Sequence, residues 1–342
     1  MIDKMLRYLK QVIMYGEGTT CEFKMAKNGL PSNLFESRIK KEFIWLKEVD
    51  KFALTNSIYN LDNACVRYRK NLGGKPKFKK KNRESYQTNY TNNNIEVLDN
   101  YIKLPKLGKV KAKVHRTLEG RIIHRAIKKY GDNKYKVMIT VEKEIKEKDK
   151  NSYITGIDMG ISNFVTDSAN NVYDSPKSLI SNYDKIGKLQ KKLALKKKGS
   201  NNYIKLTNKI NKLYDKSNNV RDDFLHKLST SIINENQVIV IEDLDVKSMF
   251  QTKKIAKVLG DISISKFINM LEYKAKWYGR TLIKVNRYYP SSQLCNNCGY
   301  QNKELKDYSI RNWTCPKCKS NHNRDYNAAN NILDKGIEML FA

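Results

Sequence analysis

The chain has 342 residues, 40% of them hydrophobic, and carries 66 Lys and Arg against 35 Asp and Glu, a net charge of +31. That length accommodates two or three compact domains and the apolar fraction can fill their cores, so a disordered chain is excluded. Such a surplus of positive charge repels itself until a polyanion neutralises it, which makes nucleic acid the expected partner.

The basic residues run through the whole sequence rather than flanking an apolar anchor, which argues against a membrane surface. No stretch approaches the roughly 18 apolar residues of a membrane span, and Met1 to Gly16 lacks the apolar core of a signal peptide. A prokaryotic cytosolic, nucleoid-associated protein with no membrane partner is expected.

Residues 31–72 carry helical spacing, with Phe35, Ile39, Phe43, Leu46 and Val49 followed by Ile58, Leu61, Cys65 and Tyr68. Gly73, Gly74 and Pro76 then break the helix, and Lys75, Lys77, Lys79, Lys80 and Lys81 surround Phe78 in a loop expected to face a polyanion. From Ile95 the pattern changes to short β runs at 95–98, 101–104, 109–114, 121–127 and 135–141, which fit a small antiparallel barrel. The polar stretch 145–151 is the best boundary, so the barrel is assigned to 73–150.

Beyond it, Tyr153 to Asp158 is an apolar strand ending in an acid, with further strands expected around 163–166 and 172–173. A long helical pair is expected over 182–235, broken at Gly199-Ser200-Asn201. Val238 to Glu242 is a second buried strand ending in an acid. A helix over 264–278, a strand over 281–285 and a last helix over 326–340 complete the expected elements.

Asp158 and Glu242 close strands, and Asp325 stands at the head of the last helix. Phosphodiester cleavage needs carboxylates that converge, because two Mg2+ ions roughly 3.5–4 Å apart activate water and stabilise the leaving oxygen, and hard cations prefer carboxylate oxygen. Gly156 and Gly160 are small enough to let a phosphate backbone approach. A single acid at a strand end is more often a solvated turn residue, and Asp243 and Asp245 are taken as such.

Cys295-x2-Cys298 and Cys315-x2-Cys318 have the spacing of a four-thiolate zinc ribbon, each CxxC turn offering two thiolates to one structural Zn2+. A redox pair would need a thioredoxin-like context, which the flanking residues lack; an iron–sulfur cluster is the other alternative. His322 is not needed once four thiolates close the tetrahedron. His115, His124 and His226 are scattered and form no His-x-His pair, which argues against a relaxase-type transposase.

Taken together, Gly156-Ile157-Asp158-Met159-Gly160-Ile161, Ile241-Glu242-Asp243-Leu244-Asp245-Val246, Tyr289-Pro290-Ser291-Ser292-Gln293-Leu294-Cys295 and Asn323-Arg324-Asp325-Tyr326-Asn327-Ala328-Ala329-Asn330 resemble the RuvC motifs and zinc finger of the TnpB family, relatives of the type V CRISPR effectors. The resemblance covers 31–340 and is strongest from 153 onward. It implies an α/β RNase H-like (RuvC) nuclease domain with an inserted zinc ribbon, preceded by a small β-barrel wedge domain carrying a helical recognition insertion.

In that scheme 1–30 is a divergent part of the wedge, 31–72 the recognition insertion, 73–150 the wedge barrel, 151–290 the nuclease domain, 291–322 the ribbon and 323–342 the last RuvC motif with its helix. The implied activity is RNA-guided DNA cleavage, with a guide RNA derived from the transposon end pairing with target DNA that is double-stranded and then single-stranded. A guided DNA-binding repressor is the alternative, as is a guide-independent resolvase-like nuclease.

Asp158, Glu242 and Asp325 match the three family acids. Arg324 is expected either to clamp the scissile phosphate or to pair with the carboxylates. The lysine loop, Arg83 and Tyr86 correspond to a stretch near the guide, where lysines would hold phosphates and Tyr86 or Tyr90 could stack on a base. One departure is visible, since residues 1–30 lack the family's opening strand with its Pro and Gln.

Overall fold

The computed structural model describes residues 41, 44–48, 51–76, 87–90, 96–129, 135–249, 253–307 and 309–341. The expectations for residues 1–30, and those for Lys77, Lys79, Lys80, Lys81, Arg83 and Tyr86, fall outside them; Lys75 is described and exposed. The chain divides into two compact units, Met1–Glu144 and Ile145–Ala342. Among the described residues no helix is long and apolar enough to cross a membrane.

In the first unit, helix α1 (Lys51–Arg69) precedes six strands: β1 (Gln87–Tyr90), β2 (Glu96–Leu98), β3 (Tyr101–Leu104), β4 (Gly108–Lys111), β5 (Arg121–Lys129) and β6 (Tyr135–Glu142). They form two antiparallel sheets, β1-β5-β6 and β2-β3-β4. Among the described residues no ladder joins the two into the expected barrel. The strand β1 was not anticipated, because the polar run Gln-Thr-Asn-Tyr carries no alternation to reveal it. In β6, by contrast, every second residue is half-buried, as alternation requires of a strand with one covered face.

The second unit is built on a five-stranded sheet of β7 (Ile154–Asp158), β8 (Val165–Asp167), β9 (Val172–Tyr173), β10 (Val238–Glu242) and β11 (Thr281–Val285), in the order β11-β10-β7-β8-β9. β7, β10 and β11 run parallel, while β8 pairs antiparallel with β7 and β9 antiparallel with β8. Continuous apolar runs such as Val-Ile-Val-Ile suit strands covered on both faces, and β10 is buried through Ile241.

Side chains alternate across the sheet, and the core divides accordingly. Ile157, Ile239 and Ile241 face one layer, packed with Leu225 and Ile233 of α3 (Asn201–Glu235) and Phe267 and Leu271 of α6 (Ile264–Tyr278). Val238, Val240 and Val285 face the other, packed with Ile332 of α7 (Arg324–Phe341). Each such buried aliphatic contributes about 1.5–3 kcal/mol.

Helix α2 (Tyr183–Ala194) and α3 form the expected pair, with Ser200 capping α3 by accepting from the amide of Tyr203. Two short helices, α4 (Val246–Met249) and α5 (Lys253–Ile262), were not expected; α4 is a single turn, whereas α5 has Ile255, Val258, Leu259 and Ile262 at helical spacing, a signal that was passed over. The cysteine segment contains one small hairpin of β12 (Asn312–Thr314) and β13 (Asn321–Asn323), and β13 leads directly into α7.

Gly156 and Gly160 do not serve the role expected of them. A Cβ on Gly156 would stand 2.3 Å from the Ala329 carbonyl oxygen and 2.6 Å from the Leu333 amide, so the space is taken by α7 and not left for a phosphate. Gly336 does the same from the helix side, where a Cβ would meet Val240 at 2.4 Å. A Cβ on Gly160 would press on the Asn163 carbonyl at 2.8 Å, within its own turn. The glycines seat the last helix on the sheet.

Candidate active site

Asp158 closes β7 and Glu242 closes β10, and these strands are neighbours in parallel register, with Ile157 opposite Ile241. Both carboxylates fall on the alternation that faces α7 (with Val238 and Val240 for Glu242, with Ile154 and Gly156 for Asp158). The contact of Gly156 with Ala329 and Leu333 places the start of α7 at the strand ends. Asn323 caps that start, its Oδ1 accepting from the amides of Asp325 at 3.1 Å and Tyr326 at 3.2 Å. Asp325 therefore meets the two strand acids.

The electrostatics record that convergence. Burial pushes the Asp158 carboxyl up to about 8, the charges of Glu242 and Asp325 push the same way, and Arg324 and Arg311 partly offset them. Glu242 is also raised by burial, against a hydrogen bond from the Ser291 hydroxyl to its Oε1. Asp325 is held from two sides, by Asn163 Nδ2 at 3.0 Å and Arg311 Nη1 at 3.0 Å. The charges of Glu242 and Asp325 thus both reach Asp158, but among the described residues only the four cysteines gather closely enough to hold a metal ion as they stand.

Arg324 meets one of its two expectations in part: its charge favours the ionised form of Asp158, while its guanidinium is also bound into the cysteine segment. It is buried, its Nη1 donates to the carbonyls of Asp307 at 2.7 Å and Ile310 at 3.5 Å, and its Nη2 donates to Ser292 Oγ at 3.4 Å. Its backbone amide donates to the Arg311 carbonyl at 2.7 Å, extending the β12–β13 hairpin. It fastens the cysteine segment to α7. The exposed cation at the carboxylates is Arg311, which sequence reasoning passed over; its Nη2 also donates to Ser162 Oγ at 2.8 Å. Nothing in its local sequence distinguished it from 66 basic residues.

Asn163, Ser291, Asn327 and Asn331 were missed as well. Asn331 Nδ2 donates to the carbonyls of Ser291 at 2.7 Å and Leu294 at 2.8 Å, and Asn327 Nδ2 to Leu294 at 2.6 Å. These two residues, one helical turn apart on α7, pin the loop that brings Ser291 to Glu242 and Cys295 to its cluster. Their repetition in Asn-Ala-Ala-Asn-Asn was the available signal. Asp243 and Asp245 lie outside this network and pair with Arg287 at 2.6 and 3.7 Å, as solvated acids do.

The sulfurs of Cys295, Cys298, Cys315 and Cys318 all lie within 4.8 Å of one another, forming a cluster that could hold zinc. Cys295 and Cys318 are 3.6 Å apart and Cys298 and Cys315 3.7 Å. A tetrahedron with metal–sulfur bonds of about 2.3 Å has edges of roughly 3.8 Å, so the spacing suits the ion. His322 Nε2 lies 3.1 Å from Cys295 Sγ, and its ring packs on Trp313 at 4.8 Å. The four sulfurs gather without it.

Two family profiles match within this unit and just before it: one described as "Probable transposase" over residues 136–253, the other as "Cas12f1-like, TNB domain" over 265–332. A Streptomyces pristinaespiralis protein named "Putative RNA-guided DNA endonuclease" is 31% identical over 307 residues, covering 89% of this chain and 76% of that protein. One from Escherichia coli K12, "Putative RNA-guided DNA endonuclease InsQ", is 28% identical, covering 91% and 81%. The solved structure titled "Cryo-EM structure of the Cas12f1-sgRNA-target DNA complex" aligns with a TM-score of 0.48 and 17% identity, covering 96% of this chain and 79% of that one.

Proposed function

The chain belongs to the TnpB family, and on that premise we propose that it is a transposon-encoded, RNA-guided DNA endonuclease whose catalytic residues are Asp158, Glu242 and Asp325. The observation that supports this reading is that Asp158 and Glu242 close two neighbouring parallel strands at the middle of the sheet, with the charges of Glu242 and Asp325 both acting on Asp158. The sheet, a parallel set of β7, β10 and β11 continued by the antiparallel pairings of β8 and β9, supports an RNase H-like (RuvC) reading of this unit. The first unit takes the part of the wedge and recognition domains.

Two Mg2+ ions bound by the three acids would supply Lewis acidity and a nucleophilic water at neutral pH. Asp158, Glu242 and Asp325 would be the residues that hold them, Asp158 being the one on which the charges of the other two act. Ser291 and Asn163 hold the carboxylates of Glu242 and Asp325 in place. Arg311, half-exposed beside Asp325, takes the clamp role on the scissile phosphate that buried Arg324 cannot fill. The four cysteines would hold one structural Zn2+, which would stabilise the hairpin that follows Arg311 and leads into Asp325.

Target selection belongs to base pairing with a guide RNA transcribed from the transposon end, leaving the protein to grip backbones. The test uses purified protein with its copurifying RNA, Mg2+ and DNA matching that RNA. Wild-type protein should cut, and Asp158→Ala should lose on the order of 10³-fold or more in cleavage rate while retaining RNA and DNA binding. Cutting that survives the substitution, or a wild type that binds matched DNA without cutting under any divalent metal, rejects the nuclease assignment.

A further inference from the structure

The helical pair α2–α3 contains a second concentration of charge that the nuclease chemistry does not use. From Lys185 to Tyr214 the sequence has ten lysines and no Asp, Glu or Arg. All ten lysines are exposed, and among the described residues none forms an ion pair. Solvated charged faces of helices ordinarily mix signs in i,i+4 pairs, and this arm has no acid with which to do so. It repels itself.

The arm is also shaped. At its tip the two helices enclose a groove of about 480 Å³ whose floor is Leu195 and Leu206 and whose rims are Lys192 and Lys196 on one side, Lys205 and Lys209 on the other. Leu195 is 85% exposed. Lys205 and Lys209, four apart, step about 6 Å along α3, and Lys192 in the last turn of α2 and Lys196 just beyond it add to the charge lining the groove beside Leu195 and Leu206. α3 enters the core at Leu225, which puts the tip roughly 35 Å along the helix from the sheet. That is too far for these lysines to touch the scissile phosphate itself.

We infer that the lysine-rimmed groove at the tip of α2–α3 is a docking surface for the backbone of a base-paired segment of the guide RNA. The inference rests on the guided-nuclease reading and adds the place where the arm holds its RNA. Lysine is a compact point charge that binds phosphate without reading bases. The rim carries no aromatic side chain, so the groove suits a paired backbone rather than splayed single-stranded bases. The RNA rather than the DNA is the occupant because ten unpaired positive charges need neutralising throughout, and the guide is the polyanion present before any target is met.

The test is a quadruple variant, Lys192→Gln, Lys196→Gln, Lys205→Gln and Lys209→Gln, which keeps good helix formers at every position. RNA recovered from the wild-type protein is end-labelled and titrated into both proteins over a range of salt concentrations. A DNA duplex of equal length is titrated in parallel, and thermal unfolding is compared to establish that the variant is folded. RNA affinity of the variant should fall roughly 10- to 100-fold at 0.15 M salt, with a log–log salt slope shallower by about 3. Free-duplex DNA affinity should change little.

Unchanged RNA affinity and slope in a folded variant would overturn the arm as an RNA surface while leaving the nuclease reading intact. Loss confined to the DNA duplex would overturn the choice of RNA. If no RNA accompanies the wild-type protein and it binds RNA no better than DNA, the guided reading falls and this inference falls with it.

Discussion

The two candidate metal sites of the second unit are built by opposite routes. Cys295 and Cys318, in contact at 3.6 Å, are 23 positions apart, and each half of that cluster is a single tight turn. The hydrogen bond from Asn163 to Asp325 spans 162 positions, and Asp158, Glu242 and Asp325 come from two strands and a helix. The cysteine cluster is local and saturated by four protein ligands, as suits a structural ion. The carboxylate cluster is non-local, retains exposed edges, and its members repel one another, as suits an ion that must leave positions open to water and phosphate. A local site can be encoded by spacing, whereas a distributed one exists only when the sheet and α7 are in place.

The sites are nonetheless joined, because the hairpin stapled by the cysteines presents Arg311 and ends at Asn323, which caps Asp325. The largest effect should come from breaking that joint. Cys298→Ser, or zinc removal by a thiol-selective chelator, should release about one zinc per chain and open 295–318 to protease. Cleavage should fall along with it although no carboxylate has changed, since structural zinc contributes on the order of 10 kcal/mol to small modules of this kind. Metal analysis, limited proteolysis and a cleavage assay decide it; full cleavage by a zinc-free protein would show the two sites to be independent.

Next in size is Gly156→Ala. Its Cβ would press on the backbone of Ala329 and Leu333, and backbone cannot swing aside as a side-chain tip can. About 3 kcal/mol of destabilisation is expected, a fall of roughly 6–12 °C in Tm, with Gly160→Ala costing less. If Gly156→Ala left Tm unchanged and weakened only DNA binding, the glycine would be serving phosphate approach after all.

The smallest effect is a pH dependence. Asp158 sits near 8 in the folded, Mg2+-free protein and near 3.8 when unfolded. The folded state then holds a proton that the unfolded state releases, so this group's stabilising contribution is full below pH 4 and is lost as pH rises through about 8. Tm in Mg2+-free buffer should decline by the equivalent of about 1 kcal/mol per pH unit between pH 5 and 7, and Asp158→Asn should flatten that decline. Mg2+ must displace the same proton, so its binding should tighten over this range. An Asp158→Asn protein with an unaltered slope would place the titrating group elsewhere.

What the sequence by itself determined was everything carried by short-range pattern. The ends of β10, α6 and β11 coincide with the apolar runs that encode them, and the spacing of the two CxxC turns identifies the four sulfurs that gather. Tertiary structure alone decided which polar groups support those motifs. Nothing near Arg311 or Asn163 in the chain marks them, because their partner Asp325 is supplied by a distant segment once α7 docks. The same docking gave Gly156 to the helix and buried Arg324 behind the hairpin. Periodicity and ligand spacing are properties of neighbours along the chain, whereas a hydrogen bond across 162 residues depends on how two surfaces pack.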